Sequence, residues 1–350
     1  MEQSETPVTR SSSPLIQPCS SIRRVFPFKR TPHRRRIDDV QPTSNIDSTE
    51  SQEPKHPESA SEGVSLPGLI NKTWCVFYLS PLYGFSLDPQ ALKQYGRSLT
   101  TYFAQDRNKE ITGDGNKKSC TFSVYKNIKV GDADPEAVQI LVTGKPPNGK
   151  KVGPVLLTAI LCGVDIEVDP CVGFKEHFVY YPIMIIKARI ILSSQLCSWL
   201  ESHFDCRIAP LRPTSMDLAW MVGMWSGNVT GRKSKPVELL YTVPEYCSGM
   251  TKITYTIDAD DCKVLWDSIH TAESAEFTEE EVGTFMKSLE EHFYECFKVK
   301  LWKMQLTRIG TPLAYVGDGR LKIFSAKEAL QVLRFMSILA VEQFQTLSNI

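Results

Sequence analysis

The sequence has no surplus of charge: 40 Lys and Arg balance 40 Asp and Glu over 350 residues. No global field marks the chain for nucleic acid or a membrane surface, so any such contact must come from local patches. Long apolar runs are missing too. A bilayer span takes roughly 18 or more apolar residues. The best stretch, residues 155–164, is about half that length and reads as a buried strand or short helix. The opening MEQSETPVTR lacks the apolar core of a secretory signal. The chain is therefore expected to be soluble and intracellular. Its ten cysteines form no CxxC pair, and the spacings of Cys162 with Cys171 and Cys197 with Cys206 are too wide for a zinc half-site. In a reducing compartment such scattered cysteines are small core residues. The six histidines are dispersed. His292 and Cys296 sit four apart on one expected helix but have no third ligand nearby in sequence. No G-x-S-x-G elbow occurs. Nothing assembles a catalytic constellation, and no cofactor or metal is expected.

One motif resembles a phosphate loop. Residues 144–150 spell G-x-x-x-x-G-K after a strand-like segment. A working loop needs Ser or Thr next, to hold magnesium, and then a helix whose amides cradle phosphate. Lys151 follows instead, then Val-Gly-Pro, and two prolines remove amides from the loop. Lys150 and Lys151 read better as the basic tip of a hairpin, and as candidate DNA contacts.

Residues 1–65 read as a disordered tail. Ser, Thr, Pro and charge dominate them, too little apolar surface to offset chain entropy. The charge is segregated. Eight basic residues within 1–36, ending in Arg34, Arg35 and Arg36, precede a block over 37–65 with seven acids. The Arg34–Arg36 cluster has the character of a nuclear localisation signal or a nucleic-acid patch. Thr31, before Pro32, fits proline-directed phosphorylation, which would place roughly −1.5 to −2 charges inside the basic cluster.

The rest reads as α+β, with antiparallel sheets and packed helices in two lobes, 66–235 and 236–350. The polar, basic stretch 232–236 marks the boundary. WCVFYL at 74–79 is a strand, ended by Ser80-Pro81. Asp88-Pro89 opens a helix with Leu92, Tyr95, Leu99, Tyr102 and Phe103 inward. Strands follow near 120–125 and 137–143, and an apolar run over 178–192 is broken by Pro182. Helices are expected over 196–204 and 216–225, the second opened by Thr214 or Ser215. Strands over 237–243 and 252–257 lead to two capped helices, the first begun by Asp258, the second by Thr278 with Glu281 in a capping box. The second helix lines Val282, Phe285, Met286, Leu289, Phe293, Cys296 and Phe297 on one face. A strand over 299–309 follows, with a slip near Trp302 that suggests a bulge. Val-Gly-Asp-Gly at 316–319 is a tight hairpin turn. Ser325 with Glu328 should cap a last helix over 326–347, apolar nearly all round. Such a helix is covered on more than one side, either by its own lobe or by a partner.

Arg320 and Lys322 alternate with Leu321 and Ile323, so they share one strand face. Arg308 is expected on the preceding strand of the same hairpin. The three make a candidate phosphate-contacting stripe, the alternative being a solvated strand face.

The strings TWCVFYLSPLYGFS, FDCRIAPL, LAWMVGMW, LLYTVP, VLWDSIH and EEEVGTFMKSLEEHF occur in this order between residues 73 and 345. In them the chain resembles the centromere protein L family of inner-kinetochore subunits. The resemblance implies a non-enzymatic scaffold of the constitutive centromere-associated network. It implies a heterodimer with centromere protein N, which reads the centromeric nucleosome, together with contacts to centromere protein C, to neighbouring subunits and to DNA. An α+β fold is implied as well. Trp302, Met304 and Leu306 are the expected partner-interface residues, as large side chains on an edge strand. The competing class is a free-standing DNA-binding or DNA-processing protein. Zero net charge and the lack of acidic metal-binding clusters weigh against it.

Overall fold

The computed structural model describes residues 66, 68–105, 118–131, 134–146, 153–166, 177–227, 235–245, 249–270 and 277–348. The tail with Thr31, Arg34, Arg35 and Arg36, the hairpin tip with Lys150 and Lys151, and most of the basic stretch before Lys235 lie outside the described residues.

The fold is α+β. Its first part comprises β1 (Thr73–Leu79), β2 (Leu82–Tyr83), α1 (Pro89–Gln105), β3 (Ser119–Val124), β4 (Val138–Thr143) and β5 (Val155–Cys162). Next come β6 (Phe178–Val179), β7 (Ile183–Ala188), α2 (Ile190–Phe204), β8 (Ile208–Pro210) and α3 (Ser215–Ser226). The remainder is β9 (Val237–Thr242), β10 (Lys252–Ile257), α4 (Ala259–Ile269), α5 (Glu279–Phe297), β11 (Gln305–Gly310), β12 (Ala314–Gly317), β13 (Arg320–Ile323) and α6 (Ala329–Ser348). Residues 155–162, open between strand and helix in the sequence, are strand.

One antiparallel sheet of eleven strands runs β10-β9-β11-β12-β13-β1-β7-β5-β4-β3, with β8 also on β1. Two cores lie on its opposite faces. Val237, Leu239 and Tyr241 of β9, Val316 of β12, Leu321 and Ile323 of β13, and Trp74 and Val76 of β1 point into the first, which α3 to α6 cover. Val138, Ile140 and Val142 of β4, and Met184 and Ile186 of β7, point into the second, covered by α1 and α2. The period of two along each strand makes this possible. On β7, Ile183 and Ile185 enter one core while Met184 and Ile186 enter the other. The cores do not part at residue 235. Leu66, Trp74 and the apolar residues of α3 from Leu218 to Trp225 share a core with the strands that follow it, and β13 pairs directly with β1.

The expected caps form. Thr214 and Asp217 make a reciprocal capping box, as do Thr278 and Glu281, and Asp258 caps α4. The hairpin turn forms with Asp318 at φ 54° and Gly319 at φ 68°, the two positive φ values of a tight hairpin. Several expectations need correction. Tyr102 faces outward rather than into the core. Ser325 does not cap α6, whose first turn is closed by the Val332 N–H donating to Glu328 O at 3.1 Å. Trp302 lies in a 3-10 turn (Leu301–Lys303), and the bulge falls between Leu306 and Arg308. That bulge has a clear cause. With an extra residue at Thr307, both Leu306 and Ile309 reach the core, which strict alternation would forbid.

Over residues 329–340, α6 is enclosed by its own chain, one of the two readings of its sequence. Ser337 Oγ donates to Leu333 O at 2.9 Å and accepts from Val164 N at 3.3 Å. Arg334 pairs with Asp165 at 2.8 Å, and Phe335 meets Trp225 edge-on.

Candidate interaction surfaces

Among the described residues, one broad face of the sheet has no helical cover. On the side away from α3 to α6, two rows of residues cross six strands. The first is Thr254, Leu240, Arg308, Gly317, Arg320 and Cys75; the second is Thr256, Glu238, Gly310, Tyr315, Lys322 and Thr73. Of these only Gly317 is buried. The structure thus brings Arg308, Arg320 and Lys322 to one face; alternation requires this of Arg320 and Lys322, whereas Arg308 is not on the partner strand of their hairpin but on β11, with β12 between them. They are not equivalent. Arg308 pairs with Asp318 in the hairpin turn, and its guanidinium lies 5.5 Å from the Tyr315 ring. Glycine at 317 permits this, because a Cβ there would lie 2.7 Å from Arg308 Cβ and Cγ. Among the described residues no acidic side chain lies within ion-pair distance of Arg320 or Lys322. Lys322 and Lys235 both approach the Phe324 ring, at 5.4 and 3.3 Å.

The second surface is at the sheet's end. Among the described residues β10 is a terminal strand that pairs only with β9, so one side of its backbone has no strand partner among them. Unpaired edges template further strands. Tyr255 of β10 packs edge-on against Phe293 of α5 at 4.9 Å, and Phe293 lies 4.7 Å from Phe297. Phe297 is 64% exposed. α5 ends beside it because Lys298 takes the left-handed conformation, φ 57°, with its N–H on Tyr294 O. Tyr294 meets Trp302, 42% exposed, at 5.3 Å. Lys298 and Lys300 lie 5.5 and 6.0 Å from the Tyr294 ring. Phe297 is thus linked through Phe293 and Tyr255 to β10, while Trp302 and the two lysines gather on Tyr294 of the same helix.

The expected interface trio separates here. Trp302 is exposed, Met304 is half-buried, and Leu306 is 4% exposed in the first core. Their segment is not an edge, since β11 lies between β9 and β12. Phe297 escapes sequence reasoning because it continues the apolar stripe of α5, which points to the core; the stripe outruns the core by about one turn. Cys296 is exposed for the same reason.

Among the described residues, no three His, Cys, Asp or Glu side chains converge on a possible metal site. Burial pushes the Cys120 thiol up to about 11 and those of Cys162, Cys197, Cys206 and Cys262 up to about 12, so none is a thiolate near neutral pH. Among the described residues, no helix is long and apolar enough to cross a membrane.

Residues 68–346 match the family described as centromere protein L. Centromere protein L of Bos taurus is 31% identical over 343 residues, 95% of this chain and 93% of that protein. The Homo sapiens protein is 31% identical over 344 residues, with the same coverage of both. That of Rattus norvegicus is 33% identical over 285 residues, 79% of this chain and 81% of the relative. The match runs from the turn before β1 to near the end of α6, and so takes in both cores and both surfaces: the chain belongs to the centromere protein L family.

Proposed function

We propose that the chain is a non-enzymatic scaffold of the inner kinetochore that heterodimerises with centromere protein N through the β10 edge and the Phe297–Trp302 patch. The relatives are named for the centromere, and a location at centromeric chromatin in the nucleus follows from membership. The observation that carries the interface is the exposed Phe297, linked through Phe293 and Tyr255 to the terminal strand β10, with the exposed Trp302 on Tyr294 of the same helix. Strand addition supplies main-chain hydrogen bonds, and large aromatics beside it supply a desolvated anchor. Trp302 and Met304 belong to this interface, with Leu306 beneath them as core support. The pair would support recognition of the centromeric nucleosome and present surfaces to centromere protein C and other network subunits. The tail's basic cluster at Arg34, Arg35 and Arg36 would serve nuclear entry, and phosphorylation at Thr31 would weaken its charge.

Co-expression of the full chain with centromere protein N, followed by size exclusion with light scattering, tests the interface. A one-to-one heterodimer is expected. The double substitution Phe297→Glu and Trp302→Glu, both at exposed positions, should weaken it by about 10- to 100-fold while leaving the thermal unfolding of the chain unchanged. A heterodimer of undiminished affinity would move the interface elsewhere on the molecule.

DNA contact belongs to the same reading. The uncovered face, with Arg320, Lys322 and the anchored Arg308, and the Lys150–Lys151 tip would contact phosphates. The support is two cations on an exposed face with no acidic partner among the described residues. Reversing Arg320 and Lys322 to Glu should lower the slope of log K against log salt by roughly one unit for each phosphate no longer neutralised. An unchanged slope would remove this face from the DNA surface.

A further inference from the structure

Tyr315 and Arg308 form an arrangement that phosphate contact leaves unused. They sit on adjacent strands of the uncovered face, with Gly310 directly across from Tyr315 and Gly317 directly across from Arg308. Each therefore faces bare backbone on one side, while on the other Tyr315 is flanked by Lys322 and Arg308 by Leu240. The Arg308 guanidinium is held 5.5 Å from the Tyr315 ring and pinned by Asp318. Arg320 and Lys322 lie one strand away, paired with Gly317 and Tyr315 respectively. The remaining surface is mostly short and polar, with Thr254, Thr256 and Thr73 exposed and Glu238 the acidic residue in the two rows.

We propose that this face binds an unpaired strand of nucleic acid, with a base stacked on the Tyr315–Arg308 pair and the flanking phosphates on Arg320 and Lys322. The inference rests on the nucleic-acid part of the preceding reading and narrows its ligand. A duplex keeps its bases stacked inside and offers a flat sheet only sugar and phosphate. A single strand can lay its bases on a sheet, where aromatic rings and guanidinium planes accept them irrespective of sequence. The adjoining cations supply the sequence-independent attraction for the backbone. Unpaired DNA and RNA share this chemistry.

The full chain is titrated with fluorescent 20-nucleotide oligodeoxythymidine, oligouridine and a 20-base-pair duplex across a salt series. Arg34, Arg35 and Arg36 are changed to Glu in every sample, so that the tail does not dominate. Tighter binding of the single strands than of the duplex is expected. Tyr315→Ala should weaken single-strand binding by about 5- to 100-fold with an unchanged salt slope and an unchanged duplex affinity. Tyr315→Phe should restore it. The deoxy and ribo strands should bind alike if stacking dominates, and a preference for one identifies the source. Preference for the duplex, or equal losses on duplex and single strand in Tyr315→Ala, would overturn the proposal. So would a variant that loses only thermal stability, since Tyr315 would then merely cover Gly310. If Arg320→Glu with Lys322→Glu changes binding of neither ligand, the nucleic-acid reading itself fails.

Discussion

Trp266→Ala should destabilise the protein by about 3–5 kcal/mol, the usual cost of truncating a buried tryptophan. Trp266 is 2% exposed and lies where three helices meet. On its own helix, α4, it stacks on His270 at 5.7 Å; Phe285 of α5 meets it edge-on at 5.3 Å, and Phe277 lies at 5.4 Å. Against α3 it needs glycine. A Cβ at residue 223 would lie 2.8 Å from the indole Cζ3. Gly223→Ala alone should therefore be destabilising, although alanine is the better helix former by about 1 kcal/mol. In the Trp266→Ala background the same change should become neutral or favourable, because the new methyl enters the cavity. Denaturant unfolding of the four proteins measures this coupling. A loss below about 1 kcal/mol for Trp266→Ala would mean that the three helices close over the site, and the ring is not what holds them apart.

Asp134→Ala should cost about 3 kcal/mol, since unsatisfied buried donors cost about 1–3 kcal/mol each and partial access of water offsets part of the sum. The Asp134 carboxylate is 4% exposed and accepts four backbone N–H bonds. Oδ2 takes Val130, Gly131 and Asp165, at 3.2, 2.9 and 3.0 Å, and Oδ1 takes Ile166 at 3.2 Å. It thereby ties the loop after β3 to the turn after β5, whose Asp165 in turn holds Arg334 of α6. Burial raises its pKa, but the four N–H bonds together bring it below the ordinary aspartate value. A folded pKa below the unfolded one of about 3.9 stabilises the protein above about pH 4, and the gain is lost as pH falls through the folded value. Asp134→Asn should lose less than Asp134→Ala, and its deficit against the parent should shrink on acidification below about pH 4. Chemical denaturation at pH 7 and pH 3 checks both. A deficit independent of pH would mean that the ionised form makes no special contribution.

Local chemistry made much of the fold legible. Capping needs only residues three apart, so Thr214 and Thr278 announce their helices. A type I′ turn needs two residues tolerant of positive φ, and Asp318-Gly319 supplies them. Long-range pairing left no comparable mark. Nothing in WCVFYL says that β1 sits between β13 and β7, because an apolar strand fits any central position. Where two irregularities occur close together, periodicity records the phase slip without locating it. Alternation puts the slip at Trp302, whereas a 3-10 turn ends there and Thr307 absorbs the extra residue. The surfaces were half legible for the same reason. Alternation alone put Arg320 and Lys322 on one face. The exposure of Phe297 and the burial of Leu306 depend on where the core stops, which is a property of the assembled sheet.

The place of β1 also bears on how the chain is made. Its first strand registers Thr73 with Lys322, about 250 residues later. A ribosome adds roughly 5–20 residues per second, so β1 must wait on the order of ten seconds or more before β13 exists. Until then the β13 side of β1, at Thr73 to Cys75, and the apolar side that β13 and α6 will cover stay open. Trp74 and Val76 are the side chains left uncovered in that interval. A nascent chain of this family therefore presents the middle of its own sheet as a sticky edge, and its yield in the cell should depend on chaperones that shield that strand until the last helix has been synthesised.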